Sequence, residues 1–171
     1  HFMKRAFYSA TIKEFLGSSI DEIRGKLMDA NQFSLELTQK DSWNEEISIL
    51  KDCLSEFTGA IYFEFSIPRM GERIDVLLLI EHVIFILEFK IGKKEFESSA
   101  LDQVWDYALD LRNFHETSHD KIIAPILIAT EANEQLIGLS FTTQNDKLLN
   151  PVKCTTSQLV EVIRQVISFS E

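Results

Sequence analysis

Cysteine is scarce in this chain: Cys53, on a helical stretch, and Cys154, on the short strand VKCTT, are its two, and they offer neither a disulfide framework nor metal-ligand spacing. Three prolines and six glycines leave no linker between domains, and no repeat is visible. Apolar runs are strand-sized, well short of the ~20 residues that cross a bilayer, and no signal-peptide pattern opens the chain. The expectation is a cytoplasmic protein without a membrane segment. A P-loop is missing too, which excludes nucleotide hydrolysis of that type in these residues. Basic charge is in deficit, with 17 Lys and Arg against 27 Asp and Glu and a net charge of −10, so the chain is not built to coat nucleic acid by neutralising phosphates. What is present suffices for a globular core: 171 residues, 45% of them hydrophobic. His1 and Phe2 precede Met3 and read as a tag remnant. One domain over 3–171 is expected, with helices in 11–57 and a core in 60–170.

Two apolar runs, RIDVLLLI (Arg73–Ile80) and VIFILEFK (Val83–Lys90), carry charge inside strand-like patterns and are separated by Glu81 and His82 alone. A hairpin folded symmetrically about that turn sets Asp75 directly across from Glu88. Side chains alternate along a strand, so Lys90 shares the face of Glu88, and Asp75 joins them. Directly opposed like charges, with Cβ atoms ~4.5–5.5 Å apart, destabilise a strand pair. A divalent cation removes the conflict. Hard carboxylate oxygens at such spacing suit Mg²⁺ or Mn²⁺, whose other positions go to water and substrate phosphate. The plainer alternative is ordinary solvated charge at frayed strand ends, which explains Asp75 alone well and the three together poorly.

Downstream, SSALDQVWDYALDLRNFH repeats apolar residues at Leu101, Val104, Trp105, Ala108 and Leu111, one face of a helix that a Ser99–Asp102 capping box would open. Gln103 and Tyr107 lie one turn apart on it and are neighbours. Further helices are expected over 11–16, 20–29 (opened by Ser19 and Glu22), 42–57 and 157–168, and further strands over 60–67, 122–130 and 137–141. In the first of these strands Ile61, Phe63, Phe65 and Ile67 alternate with polar or tyrosyl residues. Trp43 and Trp105 fall on apolar stripes and read as core. His115 and His119 are one turn apart, but neither a cysteine nor a third histidine stands near, so zinc is not expected. Helices, a three-strand meander, a crossover helix and a further strand together make an α/β sandwich.

In this order the elements resemble the PD-(D/E)XK nuclease superfamily and, within it, the RecB-like branch, whose signature is an Asp, then Glu-x-Lys, then Gln-x-x-x-Tyr. Here these are Asp75, Glu88 to Lys90 (EFK) and Gln103 to Tyr107 (QVWDY). Stretches such as FYSATIKEFL, FSLELTQKDSW, FEFSIPRMGERIDVLLLI and ALDQVWDYALDLRNFHETSHD also resemble the N-terminal region of a bacterial family in which such a domain precedes a DNA/RNA helicase. Ile74, rather than the Pro of the superfamily name, precedes Asp75, and the nearest proline is Pro68, a variation that the superfamily tolerates.

The resemblance implies a restriction-endonuclease-like α/β sandwich with a central mixed sheet flanked by helices. It implies that Asp75, Glu88 and the backbone carbonyl of Phe89 ligate Mg²⁺ or Mn²⁺. Lys90 would orient or deprotonate the attacking water, or neutralise charge on the phosphate; Gln103 would fix Lys90 or a phosphate oxygen, and Tyr107 would touch the nucleic-acid strand. A helix ahead of the strands often adds a metal-site Glu in this superfamily. Glu46, bordering the stripe of Trp43, Ile47, Leu50 and Leu54, is preferred over Glu45, against the plain alternative of a solvated surface residue.

The function these residues imply is metal-dependent hydrolysis of phosphodiester bonds, in DNA by preference, by the N-terminal module of a nuclease–helicase. Nucleic acid and a helicase domain in a longer parent chain would be its partners. Between positions 69 and 94 five basic residues stand against four acids, a balance that favours phosphate once a metal neutralises Asp75 and Glu88. One alternative is a non-catalytic nucleic-acid-binding or assembly module of a helicase. Another is a plain protein-interaction domain, which would use the acidic surface but leave the converging charges unexplained.

Overall fold

The protein is seen in a computed structural model that describes residues 5–31, 37–67, 71–114, 120–143 and 147–171. Strand β1 (Tyr8–Thr11) leads into two helices that start on capping boxes, Thr11 with Glu14 over α1 (Ile12–Gly17) and Ser19 with Glu22 over α2 (Ile20–Ala30). Each box satisfies backbone N–H groups that a helix start leaves open, so the chain can begin a helix twice within a few residues. Helix α3 (Leu37–Cys53) follows, then the meander β2 (Ala60–Ser66), β3 (Arg73–Ile80) and β4 (Val83–Lys90). Crossover helix α4 (Ser98–Phe114) leads to β5 (Ile122–Ala129) and β6 (Val152–Cys154), and a 3₁₀ turn at Thr156–Gln158 to α5 (Leu159–Phe169).

Among the described residues six strands form one sheet in chain order, antiparallel from β1 to β4 and parallel from β4 to β6. Apolar residues of α1, α2, α3 and α5 cover one face, and those of α4 cover the other. This is the expected class, an α/β sandwich with a mixed central sheet between helices. β5 is buried along its whole length, as a parallel strand covered on both faces must be.

The sheet departs from strict alternation at one level. On β2, Ile61 and Phe63 pack toward α3, whereas Phe65, and Ile67 just past the strand, pack toward α4; on β3, Val76, Leu78 and Ile80 pack toward α3, whereas Ile74 packs toward α4. A period of two would hold each set on a single face. The phase resets at Glu64, a non-glycine residue with φ of 54° in mid-strand, and register continued from Phe63↔Val76 to Phe65↔Ile74 sets Glu64 opposite Asp75. The expected one-face alternation of β2 is therefore corrected: a left-handed residue rotates the rest of the strand.

Other differences have local causes. β1 was too short, at four residues, to show a period, and exists by pairing with β2. The strand expected over 137–141 is irregular apart from one bridge, Phe141↔Leu149; β6 takes the place beside β5, and Ile137, Leu139 and Phe141 pack against the larger core instead. Helix α4 opens at Ser98, with the Ala100 and Leu101 N–H groups donating to the Glu97 carbonyl, so Ser99 lies inside the helix rather than capping it. Trp105 is half-buried against the smaller core. Pro68, His115, His119 and the basic residue Arg69 lie outside the described residues.

Candidate active site

Asp75 occupies the middle strand of the meander at the point where the ladders open. The β3–β4 pairing runs from Ile80↔Val83 to Val76↔Leu87, in the register expected of a hairpin turning at Glu81 and His82, and the next pair would be Asp75 with Glu88. Glu81 adopts φ of 54° in that turn. At the open end the Asp75 side chain takes over from the ladder, its Oδ2 accepting the Phe89 N–H at 2.9 Å. Glu88 is buried, and the Lys90 ammonium lies 3.5 Å from its Oε2. The acid, acid and lysine expected on one hairpin are thus neighbours.

Two further acids close on this group. Glu46, from α3, is 3% exposed, whereas Glu45 points to solvent, as the helical stripe implies. Glu64, from β2, is 6% exposed; its Oε2 accepts from Trp43 Nε1 at 3.3 Å and its Oε1 from Arg73 Nε at 3.3 Å.

Burial and mutual repulsion push the carboxyls upward together. Glu46 stands well above the ordinary carboxylate range through burial first and then Asp75, Glu64 and Glu88. Asp75 is also well above it, through burial and Glu88, against the opposing Phe89 N–H and Lys90. Glu88 is raised by burial while Lys90 pulls it down. Glu64 is pushed up to about 7 by burial and Asp75, against its bonds to Trp43 and Arg73.

On α4, Gln103 Nε2 donates to the Tyr107 hydroxyl at 3.0 Å. That hydroxyl faces the Arg73 carbonyl at 3.3 Å and Glu72 Oε2 at 3.4 Å, with one proton for the two. The Tyr107 ring is 1% exposed, so Tyr107 reaches the site through these bonds rather than by presenting its face. Lys90 and Gln103 line a cleft of about 570 Å³, together with Lys93. Its other charged lining is acidic: Glu72, Glu95, Glu97, Asp102 and Asp106.

Searches against protein-family models and curated proteins find no match. Among solved structures the chain is similar to one described as a repair endonuclease from Pyrococcus abyssi. The likeness is low. The TM-score is 0.37 at 19% identity, over 60% of this chain and 41% of that one, so the chain spans about two fifths of that protein's length. No helix among the described residues is long and apolar enough to cross a membrane.

The donor chemistry fits a hard divalent cation. Glu46 Oε1 and Glu88 Oε1 are buried without a hydrogen-bond partner among the described residues, and a buried acceptor left open in this way is costly. Asp75 and Glu88 supply the adjacent carboxylates that Mg²⁺ and Mn²⁺ accept. Among the described residues no three Asp, Glu, His or Cys side chains are already gathered around one point.

Sequence reasoning missed Glu64, and it read Trp43 as core alone. A glutamate in the middle of a strand covered on both faces was the available signal. Its left-handed φ, which aims it at Trp43, has no signature in the pattern of the strand.

Proposed function

We propose that this chain is a metal-dependent nuclease domain of the RecB-like PD-(D/E)XK kind, hydrolysing phosphodiester bonds in nucleic acid, with DNA as its substrate. The observation that carries the reading is the hairpin end itself: Asp75 and Glu88 held side by side, Glu88 and nearby Glu46 each with an unsatisfied buried oxygen, and Lys90 3.5 Å from Glu88. Mg²⁺ or Mn²⁺ would be held by Asp75 and Glu88, with the Phe89 carbonyl and Glu46 as further oxygens, and when bound would polarise the phosphodiester and make water more acidic. Lys90, at the border of buried acids and open cleft, orients the attacking water or meets negative charge developing on the phosphate. Gln103, fixed by Tyr107, presents its amide to the same cleft and places a phosphate oxygen or Lys90. Asp75, anchored by the Phe89 N–H, keeps its orientation without help from substrate.

In this reading the domain delivers its chemistry within a longer chain whose helicase part feeds it substrate. The acidic lining of the cleft favours one other reading, a non-catalytic assembly module, since carboxylates repel a phosphate backbone. Labelled single- and double-stranded DNA and RNA, incubated with the protein in Mn²⁺ or in chelator, separate the two. Cleavage that needs Mn²⁺ and vanishes in Asp75→Asn is the expected result; intact substrates throughout, with Mn²⁺ still bound, would leave the assembly reading.

A further inference from the structure

We infer that Glu64 is a positioning residue for the candidate metal site: bonded to Trp43 and Arg73 at a left-handed kink in β2, it holds helix α3 and strand β3 in the relation that brings Glu46 beside Asp75. The inference rests on the metal-site reading above and deepens it.

A non-glycine residue in the left-handed region costs on the order of 1–3 kcal/mol and persists only where its surroundings over-determine it. At Glu64 the surroundings are specific. Its two carboxylate oxygens engage donors from different elements, Trp43 Nε1 and Arg73 Nε, each at 3.3 Å. Trp43 is fully buried and precedes Glu46 by one helical turn, so fixing the indole fixes the turn that carries Glu46. Arg73 precedes Asp75 by two residues on β3; its guanidinium stacks 4.4 Å from the Phe7 ring centre, and its carbonyl faces the Tyr107 hydroxyl. One side chain therefore ties the helix with one candidate ligand to the strand with another, and the backbone of that strand in turn meets the helix that carries Gln103. The kink is needed for this. Regular alternation would send position 64 toward α4 with Tyr62, away from Trp43. Because the carboxylate is engaged by protein donors, its role is to orient the elements that carry the ligands, and losing such an outer partner weakens metal binding rather than removing the site.

The test is Mn²⁺ titration, followed by electron paramagnetic resonance, of the full 171-residue chain as wild type, Asp75→Asn, Glu64→Gln and Trp43→Phe, with circular dichroism to verify folding. Asp75→Asn should abolish binding. Glu64→Gln and Trp43→Phe should keep the stoichiometry but bind roughly 10- to 100-fold more weakly. Trp43→Phe removes no possible ligand, so weakening there reports position alone, and it decides the matter if Glu64→Gln does not fold. Complete loss in Glu64→Gln beside an unchanged Trp43→Phe would overturn the inference by making Glu64 a ligand. Unchanged affinity in both, even with lower thermal stability, would reduce the contacts to packing. A wild type that binds no Mn²⁺ would overturn the metal-site reading itself, and this inference with it.

Discussion

Glu88 and Lys90 stand two residues apart on one strand, yet their replacements should fail differently. Glu88→Gln removes a carboxylate from the buried pair and should lose both Mn²⁺ affinity and cleavage. Lys90→Ala should still bind Mn²⁺ and cleave roughly 100-fold more slowly or worse, because in the proposed reading its ammonium acts on water or phosphate. Mn²⁺ titration beside single-turnover cleavage checks both; wild-type cutting by Lys90→Ala would sink the assigned role.

The acids also make stability depend on pH. Glu64 is pushed from its ordinary value near 4.5 to about 7, and Glu46, Asp75 and Glu88 are raised as well. Raised carboxyls bind protons more tightly in the folded state than in the unfolded one. Their contribution is complete below the ordinary carboxylate range and fades as pH rises through the folded values, for Glu64 through about 7. In chelator the melting temperature should therefore drop between pH 5 and 8 on the order of these shifts, and Mn²⁺ should restore it at the upper end. Calorimetry across that range is the measurement, and a profile that is flat in chelator would contradict the burial of the cluster.

Between elements, a close backbone approach lies just before β2. Gly59 has φ of 149°, and a Cβ there would run into the carbonyl oxygen of Leu79 on β3. The obstacle is backbone in the middle of a sheet and cannot swing aside, so Gly59→Ala should cost at least roughly 2 kcal/mol in urea denaturation, more than an ordinary surface change. A loss below 0.5 kcal/mol, the ~0.5 kcal/mol scale of surface substitutions, would show that β2 can shift relative to β3. Should β2 shift in that way, Glu64 would move against Asp75, and the variant would then bind Mn²⁺ more weakly.

Taken whole, the chain is acidic, with Lys90 at the edge of its cleft. A net charge of −10 and a cleft lined by five carboxylates leave few places for phosphates. The 171-residue chain alone should bind DNA weakly, and its affinity should fall only shallowly with salt, since the slope counts phosphates neutralised. Titrations of single- and double-stranded DNA at several salt concentrations test this. Tight binding with a steep slope would mean that the domain has its own substrate track and does not depend on a helicase part for delivery.

The hairpin and its charged residues were legible because they are local: a two-residue turn fixes register, register places Asp75 by Glu88, and alternation adds Lys90. The Gln103–Tyr107 contact follows from helical spacing in the same way, and the stripe through Trp43 distinguishes Glu46 from Glu45. Those facts lie within one element or one turn of chain. What only the tertiary structure decided spans more distant residues: β1 at the sheet edge, β6 rather than 137–141 beside β5, and the meeting of Glu64 with Trp43 across 21 positions and with Arg73 across nine. Periodicity assumes an unbroken strand, and a single left-handed residue at Glu64 breaks that assumption. Its conformation is set by the partners that surround it in space, which no spacing along the chain records.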